Sequence, residues 1–418
     1  LTARTLVSRA ALLVALASVP AYATPGAGAV DPARTAETAA STEDLRANVA
    51  ALASEAMRGR GAGSPELAKA RDLLRDRFEA AGLSPGVDGG YLQPFDLPSG
   101  EKLANVVGRV RGGGDEWIVV GAHYDHLGMG EPGGEDAGKV HPGADDNASG
   151  VAALVRVARA LAARTDLART VYFAAFSGEE IGRRGSLWFV DHPPADLSKC
   201  AAMLNLDTVG RIEANRVIVF GTGTAAEWES VLSGVNLGFG FDLAYNAEGA
   251  GASDHVSFFA KGIPVLHFFS GAKPEYHRPG DRIELLNFDG LAKLADFVAE
   301  LTSYLASSAE PLTYRPAGVE RLAEAKSAKP RKVSFGSIPD FSRESGGILL
   351  SGVMPGSPAE AAGLAAGDLL VEMDGRAIDT IYDFQGVLAE HAPGDSIVVK
   401  YLRGGETREA RVTLAERR

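Results

Sequence analysis

Four short apolar runs in this chain each give way to a histidine or a carboxylate, and that recurrence narrows the folds available to it. Run 117–122 is followed by His123-Tyr124-Asp125-His126, and run 170–176 by Ser177-Gly178-Glu179-Glu180. Run 203–206 is followed by Asp207, and run 264–268 leads to Tyr276-His277. A fifth cluster, Gly143-Ala144-Asp145-Asp146-Asn147, opens a helical pattern at 149–163. Further strands are expected at 106–110 and 217–220, and helices at 66–81, 185–190, 225–233, 255–261 and 291–306. Near-continuous apolar strands alternating with helices specify an α/β fold. Its sheet is expected to be mixed, mainly parallel, and covered by helices on both faces. In such a sheet, site residues gather beyond the C-terminal ends of the strands, so the five clusters would meet in one crevice.

The remaining chain divides around that body. Residues 1–23 combine a basic start (Arg4, Arg9), an apolar run and Ala21-Tyr22-Ala23, as a cleaved secretory signal peptide would. The run is too short to span a bilayer, and no other is longer, so no membrane span is expected in the mature chain. The protein is accordingly expected to be secreted or periplasmic. Residues 24–41 are expected to be a flexible leader, 42–308 the catalytic body, 309–332 a linker and 333–418 a small β-rich second domain.

Composition then restricts the chemistry. Asp plus Glu number 54 against 42 Lys plus Arg, a formal charge of -12, which disfavours nucleic acid as a partner. Cys200 is the single cysteine, so neither an internal disulfide nor a thiolate zinc site can form. A metal must be held by His, Asp and Glu. Two imidazoles and three carboxylates can hold two zinc ions, one carboxylate bridging.

Together the five clusters resemble the co-catalytic di-zinc aminopeptidases, the family of bacterial leucyl aminopeptidases and aminopeptidase Y, with glutamate carboxypeptidase II more distant. The resemblance covers about residues 42–308. It implies that His123 and Asp207 hold one zinc, Glu180 and His277 the other, and that Asp145 bridges both. Asp146 would follow through an unusual backbone bend, where the family has a cis peptide. Glu179 would act as general base on a metal-bridging water. Asp125 would stand behind His123 and accept its second N–H. His126 is expected off the metal, and Asp254 and His255 in the wall. Thr208 and Arg183-Arg184 depart from the family pattern and are not expected to touch a ligand.

Residues 334–418 resemble a PDZ domain of the bacterial protease type, carried by 356–368 and the strand-turn at 369–375. Ser334-Phe335-Gly336-Ser337-Ile338 stands where such domains receive a peptide C-terminus. The module could equally pack on the body or pair chains. The combined expectation is a metallo-exopeptidase that removes N-terminal residues from peptides. A related zinc carboxypeptidase, a glutaminyl-cyclase-like amide-processing enzyme, or a PDZ binding protein with an inert body are the alternatives. Gly221-Thr222-Gly223-Thr224-Ala225-Ala226 matches a dinucleotide fingerprint by pattern, but it comes late in the chain, and no phosphate-binding P-loop is present.

Overall fold

The structure, a computed structural model, describes residues 32–417 apart from 131, 133, 135, 309, 323–330, 342 and 344. The expected signal peptide lies outside the described residues. Among the described residues no helix is long and apolar enough to cross a membrane. Helix α1 (Pro32–Leu52) reaches back into the stretch expected to be a flexible leader, which corrects that boundary. The stretch is alanine-rich, and alanine is the residue with the least to lose in a helix. Helix α2 (Pro65–Ala80) starts as its sequence dictates: Ser64 accepts from the Leu67 N–H at 3.0 Å, and Pro65 takes the first turn.

Nine strands form one sheet. They are β1 (Ser84–Pro85), β2 (Leu92–Asp96), β3 (Lys102–Val110), β4 (Trp117–His123), β5 (Thr170–Phe176), β6 (Cys200–Leu206), β7 (Arg216–Phe220), β8 (Asp242–Asn246) and β9 (Val265–Phe269). Their order is β1-β3-β5-β4-β6-β9-β7-β8, with β2 also on β3. The centre, β5-β4-β6-β9, is parallel throughout, and antiparallel pairings join it to β3 and β7. Side chains of β4 alternate between two cores. Ile118, Val120 and Ala122 face one that includes α1, α2, α3 (Gly150–Leu161) and α7 (Phe288–Ser307). Trp117 and Val119 face the other, with Phe189 of α4 (Arg184–Asp191) and Phe258 of α6 (His255–Phe259). Burial on both faces is why β4 reads as an unbroken apolar run. Helix α5 (Trp228–Asn236) packs beside α7 on the first face.

The expected linker is strapped down over its first half. Ala226 and Arg315 donate backbone N–H groups to Thr313 and Thr224 at 3.0 and 2.8 Å, and Leu312 and Tyr314 each pack on a core. The second domain then builds its own core around Phe335, Leu350, Leu370, Phe384 and Val399. Its strands are β10 (Val333–Ser334), β11 (Ser337–Pro339), β12 (Ile348–Val353), β13 (Leu369–Met373), β14 (Arg376–Ala377), β15 (Ser396–Arg403), β16 (Glu406–Thr413) and β17 (Ala415–Glu416). Helices α8 (Pro358–Ala361) and α9 (Ile381–Ala389) complete it. Strand β11 lies at the edge of the larger sheet.

Arg403 holds this small domain at one point. Its guanidinium makes two bonds, of 2.6 and 2.7 Å, to the buried Asp368 carboxylate, which also accepts the Ala365 N–H at 2.8 Å. Arg403→Gln leaves that buried acid without its cation and is expected to lower the melting midpoint of the second domain. Thermal melts of the second domain check this; an unshifted midpoint would show the pair to be dispensable.

Candidate metal centre

The four adjacent parallel strands β5, β4, β6 and β9 end along one edge of the sheet, and the loops leaving them carry the predicted residues. His123 closes β4, Glu179 and Glu180 follow β5, Asp207 follows β6, and His277 lies in the loop after β9. The acid-rich turn 144–149 enters from the start of α3.

The donors fall into two sets. His123 Nε2 lies 3.2 Å from Asp146 Oδ1 and 3.3 Å from Asp207 Oδ1. His277 Nε2 lies 3.0 Å from Asp146 Oδ2 and 3.2 Å from Glu180 Oε2. Zinc bonds of about 2.0–2.2 Å in a tetrahedral shell set neighbouring donors about 3.3 Å apart, so both sets have the spacing a bound ion requires. His123, Asp146 and Glu180 also offer donor atoms all within 4.8 Å of one another. Asp146, Glu180 and Asp207 are all largely buried, and carboxylates packed this closely demand positive charge. Without metal the imidazoles supply it. Burial alone would lower His277, but Asp146 and Glu180 raise it to about 10. Burial likewise opposes protonation of His123, and Asp207 and Asp146 overcome it. The residues present therefore fit a metal.

One predicted residue is displaced. Asp146, not Asp145, stands between the two imidazoles, and the cis peptide joins Asp146 to Asn147. The Asp145 carboxylate points away, accepting the Gly210 N–H at 2.6 Å and the Ser149 hydroxyl at 3.2 Å. Burial against Asp281 raises its pKa to about 8. In a non-helical turn, adjacent side chains can project to opposite sides, so two neighbouring aspartates exchange roles with a small backbone rotation.

Asp125 also differs from expectation. His123 Nδ1 lies 3.3 Å from the Asp125 carbonyl oxygen and 3.8 Å from its carboxylate. That carboxylate instead accepts the backbone N–H groups of Glu179 and Glu180, at 3.1 and 3.3 Å. It fixes the turn from which both glutamates project. Burial pushes the Glu179 carboxyl well above the usual range; Asp254, Asp207 and Glu180 add to this and His123 opposes it. Thr208, expected to be remote from the ligands, donates its hydroxyl to Asp207 Oδ1 at 3.0 Å.

Five supporting residues went unnoticed or undervalued in the sequence. His126 Nδ1 lies 2.7 Å from Glu180 Oε1 and so positions that carboxylate. Ser253 donates to Asp207 Oδ2 at 2.6 Å. Arg60 is fully buried and donates to the carbonyls of Tyr124, Pro142 and Gly143 at 2.8, 2.5 and 2.7 Å, tying two site loops together. Gly143 must be glycine: at φ +59 a Cβ would meet the Asp146 carbonyl oxygen at 2.2 Å. The Asp281 carboxylate takes the backbone N–H groups of Asp145 and Asp146, at 2.9 and 3.0 Å. Nothing in the spacing of His126, Ser253, Arg60 and Asp281 marks them; their partners lie far away along the chain.

Asp281→Ala is expected to free the turn that carries Asp146. The expected loss is about 1–3 kcal/mol of stability from unpaired N–H groups and roughly 10–100-fold in zinc affinity. Melting and competitive zinc titration read the two effects separately; wild-type zinc affinity in this variant would remove Asp281 from the site. The dinucleotide-like stretch serves the sheet instead. Thr224 accepts the Val265 N–H and donates to the Gly221 and Val265 carbonyls, and helix α5 starts only at Trp228.

Comparisons with known proteins give two family matches. Residues 105–302 match peptidase family M28, and residues 339–414 match the PDZ domain family. Aminopeptidase YwaD of Bacillus subtilis is 32% identical over 192 residues, which is 43% of this chain and 39% of that protein. The chain thus spans well under two thirds of the length of the curated relatives it matches. A zinc aminopeptidase structure from Bacillus subtilis superposes with a TM-score of 0.53 at 19% identity, covering 65% of this chain and 98% of that one. Porphyromonas gingivalis glutaminyl cyclase does so with 0.54 at 19% identity, covering 64% and 98%. At such identities the likeness establishes the fold. The family matches go further: residues 105–302, just under half of the chain, are similar to peptidase family M28, and residues 339–414 are similar to the PDZ domain family.

Proposed function

We propose that the protein is a two-zinc exopeptidase that hydrolyses the first peptide bond of peptide substrates. The observation that carries this reading is Asp146, whose two oxygens each face a different imidazole–carboxylate pair. His123 and Asp207 would hold one ion, His277 and Glu180 the other, and Asp146 would bridge them. Asp146, Glu180, Asp207 and Glu179 bring four negative charges, which two divalent ions would cancel. When bound, zinc polarises a carbonyl and makes a water acidic enough to lose a proton near neutral pH. Glu179 would take that proton as the water oxygen joins the carbonyl carbon, then pass it to the leaving amine as the C–N bond breaks. Asp125 keeps Glu179 and Glu180 on separate courses by holding both of their backbone N–H groups.

A zinc titration of metal-stripped protein against a panel of aminoacyl-p-nitroanilides tests the reading. Activity is expected to saturate near two equivalents. Cyclisation of glutaminyl peptides without release of any amino-terminal residue would instead make it a glutaminyl cyclase, the reaction named for one of its structural neighbours. Neither reaction at any zinc level would leave the catalytic body inert.

A further inference from the structure

The metal centre and the PDZ domain open into one cavity. It encloses about 920 Å³, near the upper end of the roughly 300–1,000 Å³ typical of ligand sites. His123, Asp146, Glu179 and Asp207 line one part of it. The loop Phe335-Gly336-Ser337, edge strand β11 and the facing side of α9, through Ile381 and Phe384, line another. An edge strand opposite a helix is where a PDZ domain adds a peptide strand, with the chain terminus at the adjoining loop. Gly336 shapes that loop: its φ is +82, and a Cβ there would meet the Ser357 side chain at 2.1 Å. Phe341, just beyond β11, fixes the domain against the body by packing on Phe220 and Phe269 with ring centroids 6.3 and 6.0 Å apart.

The charge of this cavity is arranged in the same sense. Arg331 and Arg417 line it, and among the described residues the buried Nε of Arg331 has no hydrogen-bond partner. Burial and the nearby Arg417 both disfavour the charge on Arg331. An anion between them would relieve both costs.

We propose that one short peptide occupies both ends at once, its amino end at the metal centre and its free carboxylate at the PDZ loop beside Arg331. The PDZ domain is then part of the substrate site and selects short peptides with an unblocked C-terminus. This rests on the exopeptidase reading. An extended chain advances about 3.3 Å per residue, so a cavity of this size takes a few residues. A longer polypeptide could place both termini in it only by looping its middle residues out, at a cost in chain entropy. Hydrogen bonds to a charged group are the stronger kind, so capping the carboxylate should be felt strongly.

The test compares peptides Leu-(Ala)n, with n from one to eight, as free acids and as C-terminal amides on the zinc-loaded full chain. The expected result is a kcat/KM at least tenfold higher for the acid at one or two neighbouring lengths, with the ratio returning to about one for longer peptides. Arg331→Gln is expected to flatten the ratio at every length, and Arg331→Lys to restore part of it. Calorimetry with peptides whose first amide is reduced to CH2–NH gives a second readout, in which both amidation and N-acetylation should weaken binding at the favoured length. Hydrolysis with an acid-to-amide ratio near one at every length in the wild type overturns two-ended binding and leaves the exopeptidase standing. No hydrolysis, with both caps still weakening binding, overturns the exopeptidase and supports the two-ended site.

Discussion

Asp146→Ala is expected to release zinc from both positions and to lower turnover at least about a thousandfold, while Asp145→Asn retains both metal and activity. The two aspartates are adjacent and of the same residue type, so only their surroundings separate them. Asp146 places one oxygen against each imidazole, and its loss leaves each donor set with a single histidine and a single carboxylate. Structural zinc sites bind with about 10–16 kcal/mol shared among four ligands, or about 3 kcal/mol per ligand. Losing one therefore weakens each position roughly a hundredfold, and a mechanism that needs both ions loses more. Asp145 accepts from Gly210 and Ser149 through Oδ1, and asparagine keeps that oxygen. Metal analysis after gel filtration, paired with turnover, decides the matter. Two zinc ions held at wild-type affinity by Asp146→Ala, or lost from Asp145→Asn, would reverse the assignment.

That exchange shows where sequence reading reaches its limit. The strands β4, β5 and β6 were legible because burial on both faces leaves them almost purely apolar, and His123, Glu180 and Asp207 were legible because they interrupt such runs at their ends. Strand β8 was not, since Asp242 to Asn246 sits at the sheet edge, half-exposed, with a sequence that carries no apolar run. Strand β2 escaped for the same reason, with Pro94 inside it. Choosing between Asp145 and Asp146 required φ and ψ in one turn. Asp146 adopts -104° and 95°, and Asn147 -133° and 39°, both outside the helical region. Arg60, His126 and Asp281 act through contacts to distant segments, and a single sequence does not say which segments meet. The PDZ fold was readable from its glycine-punctuated strands, but its opening onto the metal centre depends on Phe341 meeting Phe220 and Phe269 across a linker.

Glu179→Gln is expected to retain two zinc ions and lose about 100- to 10,000-fold in kcat, with KM changed by no more than a few fold. Glu179 lines the cavity beside His123, Asp146 and Asp207, yet no donor set includes it. Its neighbour Glu180 is committed instead to His277 at 3.2 Å and His126 at 2.7 Å. Burial that raises the affinity of the Glu179 carboxylate for a proton suits a group that must accept one, and glutamine of the same size cannot accept it. The substitution also preserves the backbone N–H that Asp125 holds, so the turn should keep its shape. Zinc content separates the two ways this could go wrong. Wild-type kcat with full zinc would remove Glu179 as the base. Loss of zinc would make Glu179 a ligand and leave the role of base to another group; Asp254, a buried carboxylate whose charge acts on Glu179, has its own pKa raised by burial to about 7.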